Sequence, residues 1–272
     1  MISSDLPKRH IKLIKALKES KNARSKNLCF FVEGLRSVEE VMKSDFTIEF
    51  AVVSDKFMNL DSDRARSLIA QLQNFKLYLI SEELYNILSD TVTPQGIMAV
   101  VRMKPFDLTE YAEGNFLFVA LDRIKDPGNM GTIIRTADAA GVNAIIAGKG
   151  CVDAYNPKVI RSTMGSIFHL PVVQTGDLIT ALKDLKNRGG RIITTHLKAE
   201  KYYFDVDMTM PTVLVMGKED EGVSDEIIGI SDEMAKIPMP GLAESLNVSI
   251  AHGIILFEAV KQRMKTRPFA CK

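Results

Sequence analysis

Two successive α/β units, the second built on a parallel sheet, are what this sequence predicts. Three observations lead there. Apolar runs of strand length alternate with helical patterns in both halves of the 272-residue chain, which is long enough to bury a sizeable core. A charged stretch with Pro105 and Gly114, Arg102–Asn115, separates the two halves. The runs of the second half are apolar at nearly every position, the mark of strands covered on both faces.

The elements follow in order. Ile11, Ile14 and Leu17 recur at helical spacing and predict an amphipathic helix over 7–20 with a basic outer face. Cys29–Glu33, Ile48–Ser54, Lys76–Ile80 and Ile97–Val101 read as strands, with helices around Ser37–Lys43, Asp63–Gln73 and Glu82–Leu88 between them. Beyond the linker at 102–115, Phe116–Leu121, Asn143–Ala147, Arg191–Thr195, Thr212–Met216 and Ala235–Pro238 read as strands. Helices fit at about 130–140, 156–164, 177–187, 223–229 and 247–263. The domain boundaries expected are 1–105 and 106–272.

Composition narrows the class. With 46% hydrophobic and 25% charged residues the chain has an ordinary globular balance. No run of about 18 apolar residues argues for a membrane span, and the first residues lack the apolar core of a signal peptide. Cys29, Cys151 and Cys271 are far apart, with no CxxC pair and no Cys/His cluster. Neither a disulfide framework nor a metal site is expected, and a reducing cytoplasm fits. The net charge is only +1, but Lys8, Arg9, Lys12, Lys15, Lys18, Lys21, Arg24 and Lys26 face a single acid, Glu19. That stretch is either a solvated helix face or a footing for phosphates.

Three loops stand out. In the first, a buried strand ends at Leu121 and a Pro-Gly turn follows. Asn129 is placed as an N-cap and Gly141 as the closing glycine of a helix carrying Arg135. A cation early in a helix opposes the dipole unless an anion binds beside it. The second loop is Gly217-x-Glu219-x-x-Gly222 directly after a strand, where glycines admit close approach of backbone or ligand. An ordinary strand-to-helix turn gives the same residues. The third, Ile237–Asn247, is broken by Pro238, Pro240 and Gly241. It offers Ser245 and Asn247 as caps of a helix, Val248–Val260, that is apolar nearly all round and so is buried or packs on a partner. Neither GxGxxG after a strand, GxxxxGK[ST], HExxH nor GxSxG occurs, which weighs against nicotinamide enzymes, P-loop NTPases, zincins and α/β-hydrolases. The four histidines have no ligand spacing, and His252 reads as a packed side chain rather than a base.

Taken together and in this order, DPGNMGTIIRTADAAG at 126–141, VMGKEDEGVS at 215–224 and IPMPGLAESLNVSIAHGI at 237–254 resemble the SpoU (TrmH-like) branch of the SPOUT RNA methyltransferases. FFVEGLRSVEEV at 30–41 and TPQGIMAVV at 93–101 resemble the L30e-like substrate-binding domain of the members that act on ribosomal RNA. The resemblance implies a SPOUT catalytic domain with a trefoil knot, a homodimer formed through it, and S-adenosylmethionine as cofactor. It implies transfer of a methyl group to a ribose 2′-OH, with ribosomal RNA as the expected substrate and transfer RNA as the alternative one. A catalytically silent RNA-binding or ribosome-assembly factor on the same fold is the alternative from another class.

By position, the resemblance assigns Thr195, His196, Leu197, Gly217, Ile237, Met239, Gly241, Ser245 and Leu246 to the cofactor. It assigns Asn129, Arg135, Glu219, Ser245 and Asn247 to catalysis or active-site structure, and Arg161 to RNA, which Arg9, Lys12, Arg24 and Arg135 are also expected to contact. No metal and no membrane enters this scheme. Lys218, Asp220 and Glu221 depart from the Asn, Gly and Lys commoner in the family. Since a guanidinium resists deprotonation, Arg135 is expected to clamp the target phosphate, with a phosphate oxygen, solvent or a briefly deprotonated Arg135 as the alternatives for taking the hydroxyl proton.

Overall fold

A sheet side chain alternates between faces, and Phe30 and Phe31 divide accordingly in the computed structural model, which describes residues 2–266. The described residues up to Lys104, together with Tyr155–His169, form one compact unit. Its strands are β1 (Ile2–Ser3), β2 (Cys29–Glu33), β3 (Ile48–Ser54), β4 (Leu77–Ile80) and β5 (Ile97–Arg102), ordered β1-β4-β3-β5-β2. β1, β4 and β3 run parallel, and β5 is antiparallel to both β3 and β2. Phe31 packs with Ile14 and Leu17 of the helix Lys8–Glu19 and with Tyr85 and Leu88. Phe30 meets Tyr155 at 4.5 Å and Phe168 at 6.2 Å between ring centroids. The stretch expected to run without interruption from 106 to 272 thus contributes fifteen residues, 155–169, to the first core.

Two of the eight basic residues near the N-terminus are structural. Lys18 Nζ donates to the carbonyls of Leu88 and Ser89 at 2.6 and 2.7 Å. Arg24, expected at the RNA surface, is buried, and its guanidinium donates to the Leu17 carbonyl at 2.7 Å. That corrects its assignment: the side chain turns back onto the carboxyl end of the preceding helix, where a cation satisfies orphan carbonyls. Arg9 and Lys12 are exposed on the outer face of that helix.

The second unit, Pro105–Ala154 with the described residues from Leu170, holds a seven-stranded sheet. Its strands are β6 (Leu117–Leu121), β7 (Ala144–Ala147), β8 (Val172–Gln174), β9 (Arg191–Thr195), β10 (Lys201–Tyr202), β11 (Thr212–Met216) and β12 (Glu233–Lys236). The order is β10-β12-β9-β11-β6-β7-β8, and every neighbouring pair is parallel. Leu178, Leu182 and Leu185 of one helix cover a face of it together with Phe116, Phe118, Val213 and Val215. The helices Pro127–Ala139 and Val248–Thr266 pack on each other, with Gly253 beside Thr136.

Near the end of the last helix, buried Arg263 donates to the carbonyls of Asn115, Phe116, Met208 and Met210, and so ties the helix to the segments entering β6 and β11. Cys29 and Cys151 are free thiols, and Cys271 lies outside the described residues. Among the described residues no helix is long and apolar enough to cross a membrane, and no cluster of metal-ligating side chains occurs.

Candidate active site

In a parallel sheet the carboxyl ends of the strands share one edge, where loops converge and ligands bind. The three singled-out loops leave that edge: the first follows β6, the second β11, the third β12. The loop after β9, starting at His196, joins them.

The first helix begins two residues before Asn129. Asp126 is its N-cap, accepting from Asn129 N at 2.8 Å, and Pro127 takes the first helical position. Asn129 is therefore not the cap expected of it, and its side chain is free for other partners. Its Nδ2 donates to Glu219 Oε1 of the second loop at 2.8 Å, and its Oδ1 accepts from Asn247 Nδ2 of the third loop at 2.9 Å. Asn247 Oδ1 in turn accepts from the Ser249 amide at 2.9 Å and its hydroxyl at 2.6 Å. Each amide is thereby oriented by its neighbours. Asn247 also caps the last helix, its carbonyl accepting from Ala251 N. Ser245, the other expected cap, lies outside that role and lines a cleft instead.

This cleft, about 260 Å³, approaches the lower end of small-molecule sites, roughly 300 Å³. Thr195, His196, Leu197, Gly217, Ile237, Met239, Ser245 and Leu246 all line it, as does Glu219. Gly241 does not: a Cβ there would meet nothing within 4 Å, so the third loop has turned into open space at that residue. Apolar wall comes from Met216, Ala235, Val248 and Ile255.

Gly217 is required by packing. A Cβ on it would stand 2.1 Å from both the Gly222 carbonyl carbon and the Val223 nitrogen. The reason is a pinch: Lys218 N donates to Gly222 O at 3.1 Å and Gly222 N returns to Lys218 O at 2.9 Å, with Gly222 at φ +74°.

The departures from the family pattern compensate one another. Lys218 Nζ pairs with Glu221 at 2.5 Å and Asp220 at 3.1 Å, and Arg123 pairs with Glu221 at 2.6 Å. Lys218, with Arg123, holds the Glu221 carboxyl below its usual range, and Lys218 does the same for Asp220.

Arg135 is exposed, six residues beyond Asn129, with no hydrogen bond or ion pair among the described residues. Arg161 belongs to the first unit and is ion-paired with Asp90. His252 is fully buried, neither ring nitrogen has a partner among the described residues, and burial pushes its pKa down to about 3. It is a packed histidine, as expected. Arg123 and Asp122 carried no sequence signal. They lie directly after β6, and their partners in the second loop are about a hundred residues away.

Residues 116–257 match the model of the SpoU rRNA methylase family. The chain belongs to that family. Residues 8–99 match the MRM3-like substrate binding domain. Among curated SpoU relatives, the chain is 34% identical over 238 residues to 23S rRNA (guanosine(2553)-2′-O)-methyltransferase RlmP of Bacillus subtilis, covering 88% of this chain and 91% of that protein. It is 33% identical to a 23S rRNA (uridine(2479)-2′-O)-methyltransferase of Streptomyces viridochromogenes, over 93% and 89% of the two chains.

Among solved structures, the SpoU methyltransferase AviRb of that organism in complex with S-adenosylmethionine superposes with a TM-score of 0.85 at 30% identity, covering 94% of this chain and 99% of that one. An S-adenosylmethionine-bound rRNA methyltransferase from Sinorhizobium meliloti does so at 0.84 and 29% identity, over 96% and 97%.

Proposed function

We propose that this SpoU protein transfers the methyl group of S-adenosylmethionine to a ribose 2′-OH in 23S ribosomal RNA. The observation that supports this most is the hydrogen-bonded chain Glu219–Asn129–Asn247, which gathers the three loops beside one cleft. The full-length similarity to enzymes named for 23S rRNA 2′-O-methylation supports the substrate.

The cleft suits the cofactor. Gly217 brings backbone to its surface, an apolar wall fits an adenine ring, and Glu219, the acid of that loop without an ion pair among the described residues, complements a cationic group of the cofactor. In our reading Thr195, His196, Leu197, Gly217, Ile237, Met239, Ser245 and Leu246 hold it. When bound, S-adenosylmethionine would supply an electrophilic methyl group for the ribose oxygen, with its sulfur as the leaving group that would take the electron pair.

The chain's own task is then alignment. Arg135, an exposed cation without an ion pair among the described residues, takes a phosphate of the target nucleotide and fixes the ribose. Asn129 is held by Glu219 and Asn247 so that the turn bearing it does not shift as RNA docks. The hydroxyl proton leaves to a phosphate oxygen or to water, since the guanidinium keeps its own.

The first unit acts as the RNA-binding domain, with Arg9 and Lys12 on its exposed helix face and Arg161 on the segment it shares. The catalytic unit is knotted at its carboxyl end and forms a homodimer. The stripe Ile250, Phe257 and Met264, exposed at intervals of seven residues on the last helix, supports the dimer. Mapping 2′-O-methyl positions in total RNA from cells with and without this gene tests the function. One 23S position should lose its methyl group; a map identical in ribosomal RNA but altered in transfer RNA would reassign the substrate, and no change anywhere would favour a silent assembly factor.

A further inference from the structure

We propose that Arg123 is a positioning residue for the cofactor cleft, clamping the 217–222 loop in the shape that receives S-adenosylmethionine. This rests on reading that cleft as the cofactor site. Loop residues 217–222 all line the cleft, so their backbone path sets its shape. The loop is held on one side by Glu219 against Asn129. Arg123 holds the other. Its Nε and one terminal nitrogen fork onto the two Asp122 carboxylate oxygens at 3.1 and 3.2 Å, which fixes the guanidinium plane. The other terminal nitrogen donates to Glu221 Oε2 at 2.6 Å, and a further N–H reaches Gly222 O at 3.2 Å. Asp122 adds to the grip by accepting from Ser224 N at 2.9 Å.

Gly222 O is also the acceptor for Lys218 N, so Arg123 contacts the pinch itself. Glu221, besides meeting Arg123, pairs with Lys218 and completes the link across the loop. The backbone corroborates the assignment. Arg123 stands at φ +60°, a left-handed conformation that a residue with a Cβ rarely adopts and that clusters at functional sites. Glycine would fit that conformation without strain. A side chain there is therefore needed for what it reaches, and it reaches the cleft wall. Lysine offers the charge without the fork.

The test uses the full chain with Arg123→Gly, Arg123→Lys and Glu221→Gln. Calorimetry reads S-adenosylmethionine affinity, and hydrogen exchange on the cofactor-free protein reads the Lys218 and Gly222 amides. Arg123→Gly relieves a strained backbone and leaves the Asp122 carboxylate its bond from Ser224 N, so the variant, though less stable for the lost ion pair, should still fold cooperatively by circular dichroism. It should nonetheless bind the cofactor at least about tenfold more weakly, the scale seen when a partner that orients metal ligands is removed. Lysine should not restore the affinity. The two amides should exchange faster while those of β11 keep their protection, and kcat at saturating cofactor should stay within about threefold.

Glu221→Gln should weaken binding in the same direction and non-additively with Arg123→Gly, which keeps the contact testable from its other end. Affinity within twofold of the parent in Arg123→Gly, or unchanged exchange at Lys218 and Gly222, overturns the role of Arg123. No heat of binding by the unsubstituted protein would instead overturn the cleft reading, and the exchange rates would still report on the clamp.

Discussion

Arg135 owes its interest to what it lacks. An exposed cation in the third turn of its helix, with no ion-paired carboxylate among the described residues, gains little from the dipole and is open to an incoming phosphate. Arg135→Ala should lower kcat by about 10²–10³-fold, the loss typical of one electrostatic donor at a reacting centre. Cofactor affinity measured by calorimetry should stay within several-fold, and its loss would place Arg135 in the cofactor site instead. His252 makes a second argument at this scale. Its pKa falls from 6.5 to about 3 on folding because burial disfavours the charged ring. The unfolded chain binds the proton more readily, so stability falls as pH drops from about 6.5 toward 3, by up to about 1.4 kcal/mol per pH unit. His252→Leu replaces two orphaned nitrogens by carbon. Denaturant titrations between pH 7 and 4 should show a shallower slope in the variant; parallel slopes would mean that the imidazole titrates normally.

At the scale of elements, the catalytic sheet was legible and its edges were not. Arg191–Thr195 and Thr212–Met216 are strands at the bounds their sequence predicts, because interior parallel strands need apolar side chains on both faces. Val172–Gln174, Lys201–Tyr202 and Ile2–Ser3 escaped the pattern. An edge strand of two or three residues, half exposed, has no periodicity to read. The site was legible as three motifs, but their junctions were not. Asp126-Pro127 is a helix start in its own right, and reading Asn129 as the cap overlooked the proline signal. Arg24 looked like every other basic residue of its stretch until a carbonyl seven residues back claimed it.

Two predictions belong to elements. Gly217→Ala drives a methyl into the Gly222–Val223 backbone, which cannot yield as a side chain would. The cost is about 3 kcal/mol, the upper end for overpacking, read as lost cofactor binding or a lowered denaturation midpoint. Binding and stability both at parental values would contradict the pinch. On the last helix, Phe257→Glu charges the centre of an exposed apolar stripe. Sedimentation should find a 30.2 kDa species in place of one twice that mass, with circular dichroism unchanged. A variant that sediments as the parent would remove this face from the interface.

For the whole molecule, family membership explains why a net charge of +1 is compatible with an RNA substrate: the basic residues are local, not global. The exposed Arg9 and Lys12 should report this. Reversing both charges should weaken RNA binding and reduce the dependence of log affinity on log salt by about 1.4–1.8, two phosphate contacts' worth. An unaltered slope in filter binding would return that helix face to solvent.

The central claim is the reaction itself, and the most direct measurement is transfer of a radiolabelled methyl group from S-adenosylmethionine by the purified protein to unmodified 23S ribosomal RNA, followed by alkaline hydrolysis. The account predicts label confined to one alkali-resistant dinucleotide, since only a 2′-O-methyl group blocks cleavage there, and an initial rate at least about a hundredfold lower with Arg135→Ala. Label released in mononucleotides, as a methylated base would give, or no label under conditions where the cofactor binds, would contradict it.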